Sequence, residues 1–231
     1  MSNAEVLESH PLRVFERNPD GGLPESEVSL FLARSGVGKT TALINFALDS
    51  MLAGNRVFHF SVGMMSDKVH EYYKEVFQEY QRVYRENREM DGWKALNDLL
   101  MVISYHSADR MMEDLENEIQ TVESSAHVEP ALILVDGLDF GSNSNKQLET
   151  MAHCAKKYNV RILATMRIHR NADGSVDLDH PHEISRKHAR RVYYLDPQQG
   201  RIKLESLSED LNNPVEMPIY FNPGDFLFYK A

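Results

Sequence analysis

The chain alternates between short apolar runs and longer segments in which apolar residues recur every three or four positions. The short runs predict buried β-strands, and the three-to-four spacing predicts amphipathic helices. Five strands are predicted in this part of the sequence, over residues 27–32, 56–62, 101–105, 131–136 and 161–166. A helical pattern follows each of the first four strands, which is typical of strand–helix–strand units.

The predicted helices differ in the residues of their apolar stripes. The helix over residues 41–52 carries a stripe made of Leu43, Ile44, Ala47, Leu48, Met51 and Leu52. The helix that begins near Ser66 carries a stripe rich in tyrosine, including Tyr73 and Tyr80. Such a stripe usually packs against a core, and a surface for a partner is the alternative. The two later helices are predicted over residues 107–122 and 145–158.

The C-terminal part of the chain has a different pattern. After a polar loop over residues 170–181, strand patterns follow one another at residues 191–195, 201–207 and 217–221. Alternating strands and helices, followed by strands alone, predict an α/β fold: a doubly wound, mainly parallel sheet with antiparallel C-terminal strands. We predict one domain over residues 1–231, with 1–24 as a lead-in and 191–231 as a C-terminal strand extension.

The composition limits the functional classes. Hydrophobic residues make up 42% and charged residues 26% of the 231 residues, so the chain can bury a substantial core. The net charge of −10 disfavours nucleic acid and anionic membranes as partners. The first residues show no pattern of a secretory signal, and no apolar run approaches the ~20 residues that span a membrane, so we expect neither feature. The single cysteine, Cys154, is predicted to be a buried thiol, and we expect a cytoplasmic protein.

One segment between the first strand and the first helix has the spacing of a phosphate-binding P-loop, or Walker A motif. Its residues are Ala33, Arg34, Ser35, Gly36, Val37, Gly38, Lys39, Thr40 and Thr41. This motif consists of a strand, a loop of small residues, Gly-Lys-Thr and a helix. Its backbone N–H groups and the N-terminus of its helix bind phosphate. The simpler alternative is a glycine-rich turn with a lysine by chance.

Individual residues of this loop have predicted roles. Gly36 and Gly38 let the backbone approach the phosphates, Lys39 reaches the outer phosphates, and the Thr40 hydroxyl is a predicted Mg²⁺ ligand. The motif has glycine where this chain has Ala33. Alanine costs little there unless the backbone needs a positive φ.

Asp136 ends the most continuous apolar run of the chain, where a Walker B aspartate would hold Mg²⁺ opposite Thr40. The alternative is an aspartate that begins a turn, because Gly137 follows it. Asp139 is a weaker candidate, and we predict it to be a turn or helix-capping residue.

These motifs stand in a particular order. The segment Gly21-Gly22-Leu23-Pro24 precedes the P-loop, and the next strand ends in Phe60-Ser61-Val62-Gly63-Met64. The chain from about Leu12 to Leu207 resembles the RecA-like ATPase core, in the branch that contains the helicase DnaB and the clock protein KaiC. The resemblance implies ATP and Mg²⁺ as cofactors, Lys39 and Asp136 as catalytic residues, and a homo-oligomer or a protein partner.

Gly63 departs from the pattern of that branch, in which the second strand ends in Ser-hydrophobic-Glu-Met and the glutamate polarises the attacking water. Loss of a general base typically costs about 10²–10⁴ in rate. The nearest carboxylates in the sequence are Glu71 and Asp139. The resemblance therefore implies slow or partner-stimulated hydrolysis, unless a carboxylate from elsewhere serves.

Further polar residues follow the fifth strand. In the family, a polar residue at the tip of this strand senses the γ-phosphate, and Thr165 or Arg167 matches that position. Arg167, His169 and Arg170 form a small basic tip, for which a DNA-facing loop and a solvated strand end are alternatives. The strongest basic cluster, residues 186–191, is a candidate for completing a neighbouring subunit's site, and a solvated helix face is the alternative.

The sequence thus predicts an ATP-binding, RecA-like P-loop protein, with slow or partner-stimulated ATPase activity, that acts as a regulatory or assembly switch. A DNA-acting motor or recombination ATPase is the first alternative, and both the acidic charge and Gly63 count against it. A nucleotide-binding module without hydrolysis is the second alternative.

Overall fold

The computed structural model describes residues 10–17, 23–84, 92–126, 129–169, 175–207 and 214–231. The strands are β1 (Val28–Ala33), β2 (Val57–Val62), β3 (Leu100–Tyr105), β4 (Leu132–Asp139), β5 (Arg161–Arg167), β6 (Ala189–Gln198), β7 (Arg201–Ser206), β8 (Val215–Asn222) and β9 (Leu227–Lys230). The helices are α1 (Val14–Arg17), which follows a 3₁₀ turn at Pro11–Arg13, α2 (Lys39–Leu52), α3 (Ser66–Tyr84), α4 (Trp93–Asn97), α5 (Ala108–Ala126), α6 (Ser144–Lys157) and α7 (Asp179–Ser185).

All nine of these strands belong to one sheet, in the order β3-β2-β4-β5-β1-β6-β7-β8-β9. The six strands from β3 to β6 in this order run parallel, and β7, β8 and β9 are antiparallel to their neighbours. An α/β fold with a mostly parallel sheet and antiparallel C-terminal strands is therefore confirmed.

Each predicted strand is present, with its ends shifted by at most three residues. The prediction missed β9 and the short helices α1, α4 and α7. The predicted loop over residues 170–181 is wrong at its end, because α7 begins at Asp179; residues 170–174 lie outside the described residues. Pro181 indicated a loop, but it lies in the first turn of α7, where proline is tolerated.

Helices pack on both faces of the sheet. From β1 the chain moves outward through β2 to β3, and α2 and α3 cover one face. It then returns through β4 and β5 to β6, and α5, α6 and α7 cover the other face. Crossover connections between parallel strands are right-handed. A chain that reverses its direction along the sheet must therefore place its next helices on the other face. The chain therefore leaves β1 and its neighbour β5 towards opposite faces. In open α/β sheets, ligands usually bind at the carboxyl ends of two such strands.

The helix after the predicted P-loop is buried over most of its surface. The expected apolar stripe of α2 is buried, but so are Thr41, Ala42, Asn45 and Phe46 on its other faces. The C-terminal strands cover this outer side, since the Phe46 ring packs against Phe228 of β9 at a centroid distance of 5.6 Å. A helix that lies between two layers needs no polar face.

The tyrosine-rich stripe of α3 is a packing face. Val69, Tyr73, Val76, Phe77 and Tyr80 are all buried between α3 and the sheet or its neighbours. On the opposite face of the sheet, Cys154 of α6 is buried as predicted, and burial raises the pKa of its thiol to about 11.

Candidate functional site

The loop between β1 and α2 has the backbone conformation that its glycines allow. Gly36 and Gly38 have φ angles of 77° and 89°, which are left-handed conformations that favour glycine. Ala33 is instead the last residue of β1, where it is buried and pairs with Arg167 of β5. Because Ala33 is part of an extended strand, it needs no glycine, and its departure from the motif has no backbone cost.

Lys39 begins α2 and bends back over the loop. Its ammonium nitrogen Nζ lies 2.8 Å from the carbonyl oxygen of Arg34 and 3.4 Å from that of Ala33. Burial lowers the pKa of Lys39, and the negative charge of Asp136 opposes this shift. The carbonyls of Ala33 and Arg34 thus hold the cation at the loop.

A β-bulge within β4 positions Asp136. Asp136 and Gly137 together lie opposite the single residue Thr165 of β5, since Val135 pairs with Ala164 and the pairing resumes two residues later on β5. Gly137 has a φ of 88°, and a Cβ atom there would come within 2.4 Å of the Val62 carbonyl oxygen of β2. The alternative of a turn after Asp136 is wrong, because β4 continues to Asp139.

The Asp136 carboxylate joins α2 to β5. The Thr40 hydroxyl donates a hydrogen bond to Oδ2 of Asp136 at 2.5 Å, and the Thr165 hydroxyl donates to Oδ1. Asp136 is 4% exposed. Asp136 and Thr165 point to the face that α2 covers, like Leu134 and Leu163 two residues before them, because side chains alternate along a strand. The predicted Thr40–Asp136 pair is therefore in contact.

Arg167 and Asp139 form an ion pair at the same edge of the sheet. Arg167 Nη2 donates to Oδ2 of Asp139 at 2.5 Å, and both side chains are partly exposed. The prediction that Asp139 is a turn or capping residue is wrong, since it ends β4 and pairs with Arg167 of the next strand. Arg167 pairs with Ala33 and so lies beside the loop, and its positive charge contributes to the lowered pKa of Lys39.

Gly63 follows β2 at the side of the site and adopts a φ of 76°. Its N–H donates to the Tyr105 carbonyl at 2.8 Å, and no atom lies within 4 Å of the position of an added Cβ. Glu71 is exposed on α3 and pairs with Lys68. Both carboxylates that the sequence offered in place of the missing glutamate, Glu71 and Asp139, are thus engaged in ion pairs.

A buried histidine lies behind Asp136. His59 of β2 is fully buried, and its Nδ1 lies 3.0 Å from the hydroxyl of Tyr73 on α3. Burial lowers the pKa of His59 to about 4, so the ring is neutral at pH 7, although the Asp136 charge opposes the shift. No sequence motif indicates this pair, because a lone histidine in an apolar strand has none.

The basic cluster over residues 186–191 is not a helix face. Residues 186–188 form the turn after α7 and residues 189–191 begin β6, so the alternative of a solvated helix face is wrong. Since β6 runs parallel to β1, its beginning lies at the amino end of the sheet, away from the loop of the same chain. Arg170, Gly21 and Gly22 lie outside the described residues.

A cavity of about 640 Å³ also lies at the amino end of the strands. Its lining includes Leu132 and Arg161, the first residues of β4 and β5, and Asp49 near the C-terminal end of α2. None of the loop residues or Asp136 borders it, so this cavity and the predicted site are at opposite ends of the sheet.

Comparison of the sequence with known protein families gives no match, and comparison with curated proteins gives no significant relative. In the described residues, no helix has the length and apolarity needed to cross a bilayer.

Within the part of the chain that the structure describes, no three His, Cys, Asp or Glu side chains converge as metal ligands. Asp136 and Thr40 therefore provide a single carboxylate and a single hydroxyl. This donor set suits Mg²⁺, which protein sites hold through one or two carboxylates together with phosphates and water.

Proposed function

We propose that the chain is an ATP-binding P-loop protein with a doubly wound, RecA-like core, in which residues 33–41 bind the phosphates. Thr40 and Asp136 would hold Mg²⁺ beside them. The contact of Thr40 with Asp136 carries this proposal, because these residues come from distant elements and meet at the N-terminus of α2. The left-handed Gly36 and Gly38 support it, since they let backbone N–H groups turn towards an anion.

The other residues of the site would orient the phosphates and the carboxylate. Lys39 would exchange the carbonyl oxygens of Ala33 and Arg34 for phosphate oxygens, which are stronger partners for an ammonium group. The Thr165 hydroxyl holds the second oxygen of Asp136 and so fixes the orientation of the carboxylate. Bound Mg²⁺ supplies charge neutralisation between the phosphates.

The Asp136→Asn variant tests the Mg²⁺ role. In the wild type, Mg²⁺ is expected to raise the affinity for ATP by about tenfold or more, the effect of one charge-assisted contact. Asparagine keeps the size of the side chain and one acceptor oxygen, so the variant should fold but lose most of this Mg²⁺-dependent gain. Calorimetric titration of ATP with and without Mg²⁺ measures the difference.

Asp139→Asn is the matched control for this measurement, because Asp139 lies on the same strand and pairs with Arg167. The Asp139→Asn variant should keep the full gain in ATP affinity that Mg²⁺ gives the wild type. An unchanged Mg²⁺ dependence in Asp136→Asn would remove Asp136 from the proposed metal site.

We further propose that hydrolysis is slow or depends on a partner, as in a regulatory or assembly switch. Gly63 has no side chain to orient water, and Glu71 and Asp139 pair with cations. A module that binds nucleotide without hydrolysis is the second candidate, and the same observations favour it. The two candidates differ in turnover when a partner or a second copy of the chain is present.

The Gly63→Glu variant tests the missing base. The open space at this residue accommodates a side chain, and the left-handed backbone costs about 1 kcal/mol of stability. If the catalytic base is all that is missing, turnover should rise by about 10²-fold or more. Phosphate release measures turnover, and Gly63→Gln controls for the strain without a carboxylate.

An equal rate in the two variants would contradict a missing base and favour the module without hydrolysis. Fast turnover of the wild type alone would contradict the proposed slow ATPase. Strong stimulation by single-stranded DNA would instead favour a DNA-acting motor, against the net charge of −10.

A further inference from the structure

The hairpin formed by β8 and β9 reaches the predicted P-loop from the far end of the sheet. The Phe221 ring of β8 is fully buried against the loop, where a Cβ atom on Gly38 would come 3.0 Å from the Phe221 Cε1 atom. Phe221 is thus a side chain of the C-terminal strands that packs directly on the backbone of the loop.

A chain of hydrogen bonds connects the same hairpin to the loop. The Thr41 hydroxyl donates to the Gly38 carbonyl at 2.9 Å. The Asn45 amide donates to the Thr41 carbonyl at 2.8 Å and to the Phe226 carbonyl at 2.7 Å. Asn45 is fully buried, and these two bonds satisfy its amide nitrogen, which is costly to bury without acceptors.

The turn that presents the Phe226 carbonyl to Asn45 has a strained backbone. Phe226 has a φ of 63°, which is rare for a bulky residue and costs about 1–3 kcal/mol. The Phe226 N–H donates to the Asn222 carbonyl at 2.9 Å, and the Asp225 carboxylate accepts a hydrogen bond of 2.5 Å from the Tyr229 hydroxyl. These contacts hold the turn in the conformation that meets α2.

We propose that Phe221 and Asn45 are positioning residues of the nucleotide site. Through them the β8–β9 hairpin holds Gly38 and the first turn of α2 in the conformation that accepts phosphate. Because coupling between two equilibria is reciprocal, a bound nucleoside triphosphate in turn stabilises the closed hairpin. This inference rests on the function proposed above.

Phe221 and Phe228 provide a matched pair of variants. Both rings are fully buried in the same hairpin and pack against each other at a centroid distance of 5.2 Å. Phe228 contacts α2 at Phe46, in the middle of the helix, whereas Phe221 contacts the loop at Gly38. Replacing either phenylalanine with leucine removes a similar volume from the core, but only Phe221→Leu removes the contact with the loop.

Titration of both variants with MgATP, at a temperature where both are folded, tests the positioning role. Phe221→Leu should weaken binding by about tenfold, because a loop that is no longer held in place loses its orientation towards the phosphates. Phe228→Leu should lower the melting temperature by a similar amount and bind MgATP like the wild type. Equal affinities in the two variants would overturn the positioning role and leave the proposed function intact.

Hydrogen exchange of the wild type gives a second test that needs no folded variant. With Mg²⁺ and a non-hydrolysable ATP analogue, the amides of residues 226–229 should exchange about tenfold more slowly, because opening of the hairpin competes with binding. The amides of residues 100–102, on the opposite edge of the sheet, should change little. Equal slowing at both edges, or none, would overturn the linkage. Failure of the wild type to bind ATP would overturn both this inference and the proposed function.

Discussion

Replacement of Lys39 by alanine should weaken the binding of ATP by about a hundredfold. The ammonium group is held at the loop by the Arg34 and Ala33 carbonyls, close to where the outer phosphates would bind. Charge-assisted hydrogen bonds of this kind contribute about 1.5–3 kcal/mol, and about 1.4 kcal/mol corresponds to a tenfold change in affinity. Calorimetry or fluorescence with a labelled nucleotide measures the loss.

The fold of the Lys39→Ala variant should remain intact. The lysine is partly buried and burial lowers its pKa, so its removal relieves a desolvation cost and creates little empty space. Lys74→Ala, at an exposed residue of α3, is the control and should bind ATP like the wild type. Unchanged binding in Lys39→Ala would contradict the P-loop assignment and with it the proposed function.

Replacement of Gly137 by alanine should destabilise the protein by about 3 kcal/mol or more. The added methyl group would lie 2.4 Å from the Val62 carbonyl oxygen, and a backbone oxygen cannot move aside as a side chain can. Overpacking of this kind costs about 1–3 kcal/mol, and a left-handed φ adds about 1 kcal/mol. Chemical denaturation measures the change in the free energy of unfolding.

Gly200→Ala separates these two contributions. Gly200 also has a left-handed backbone, with a φ of 78°, but no atom lies within 4 Å of an added Cβ. It should therefore lose only about 1 kcal/mol, the cost of the backbone conformation. If Gly137→Ala and Gly200→Ala lost similar amounts of unfolding free energy, β2 and β4 would not be in close contact beside Asp136.

Gly137→Ala should also affect the site at a temperature where the variant is folded. The bulge directs the Asp136 carboxylate to Thr40 and Thr165, so relief of the clash by separation of β2 and β4 would move the carboxylate. The Mg²⁺-dependent part of ATP binding should then decrease together with stability.

The parts of the fold that the sequence predicted depend on neighbouring residues. Apolar runs give the strands, and the loop over residues 33–41 has a motif because its strand, glycines and lysine are adjacent in the chain. Asp136 was equally visible at the end of an apolar run, although β4 continues beyond it to Asp139. Its contact with Thr40 followed from the rule that parallel strands present their carboxyl ends at one edge.

The features that the sequence did not predict depend on contacts between distant segments. Gly137 resembles a turn residue, and only the pairing of β4 with β5 identifies it as part of a bulge. Asn45 resembles a solvent-facing residue of an amphipathic helix, but it meets the Phe226 carbonyl, 181 residues away. An unexpected polar residue next to apolar positions in α2 was the one local signal of this contact.

The enclosure of α2 by the last strands affects how the chain is made. Ribosomes add about 5–20 residues per second, so roughly ten seconds or more separate synthesis of Asn45 from that of Phe226. During this interval the outer side of α2, including Phe46, has no partner from β9 in the nascent chain. The helix that follows the predicted P-loop is therefore synthesised well before the strands that cover it, and a chaperone that binds apolar helices would find its target there.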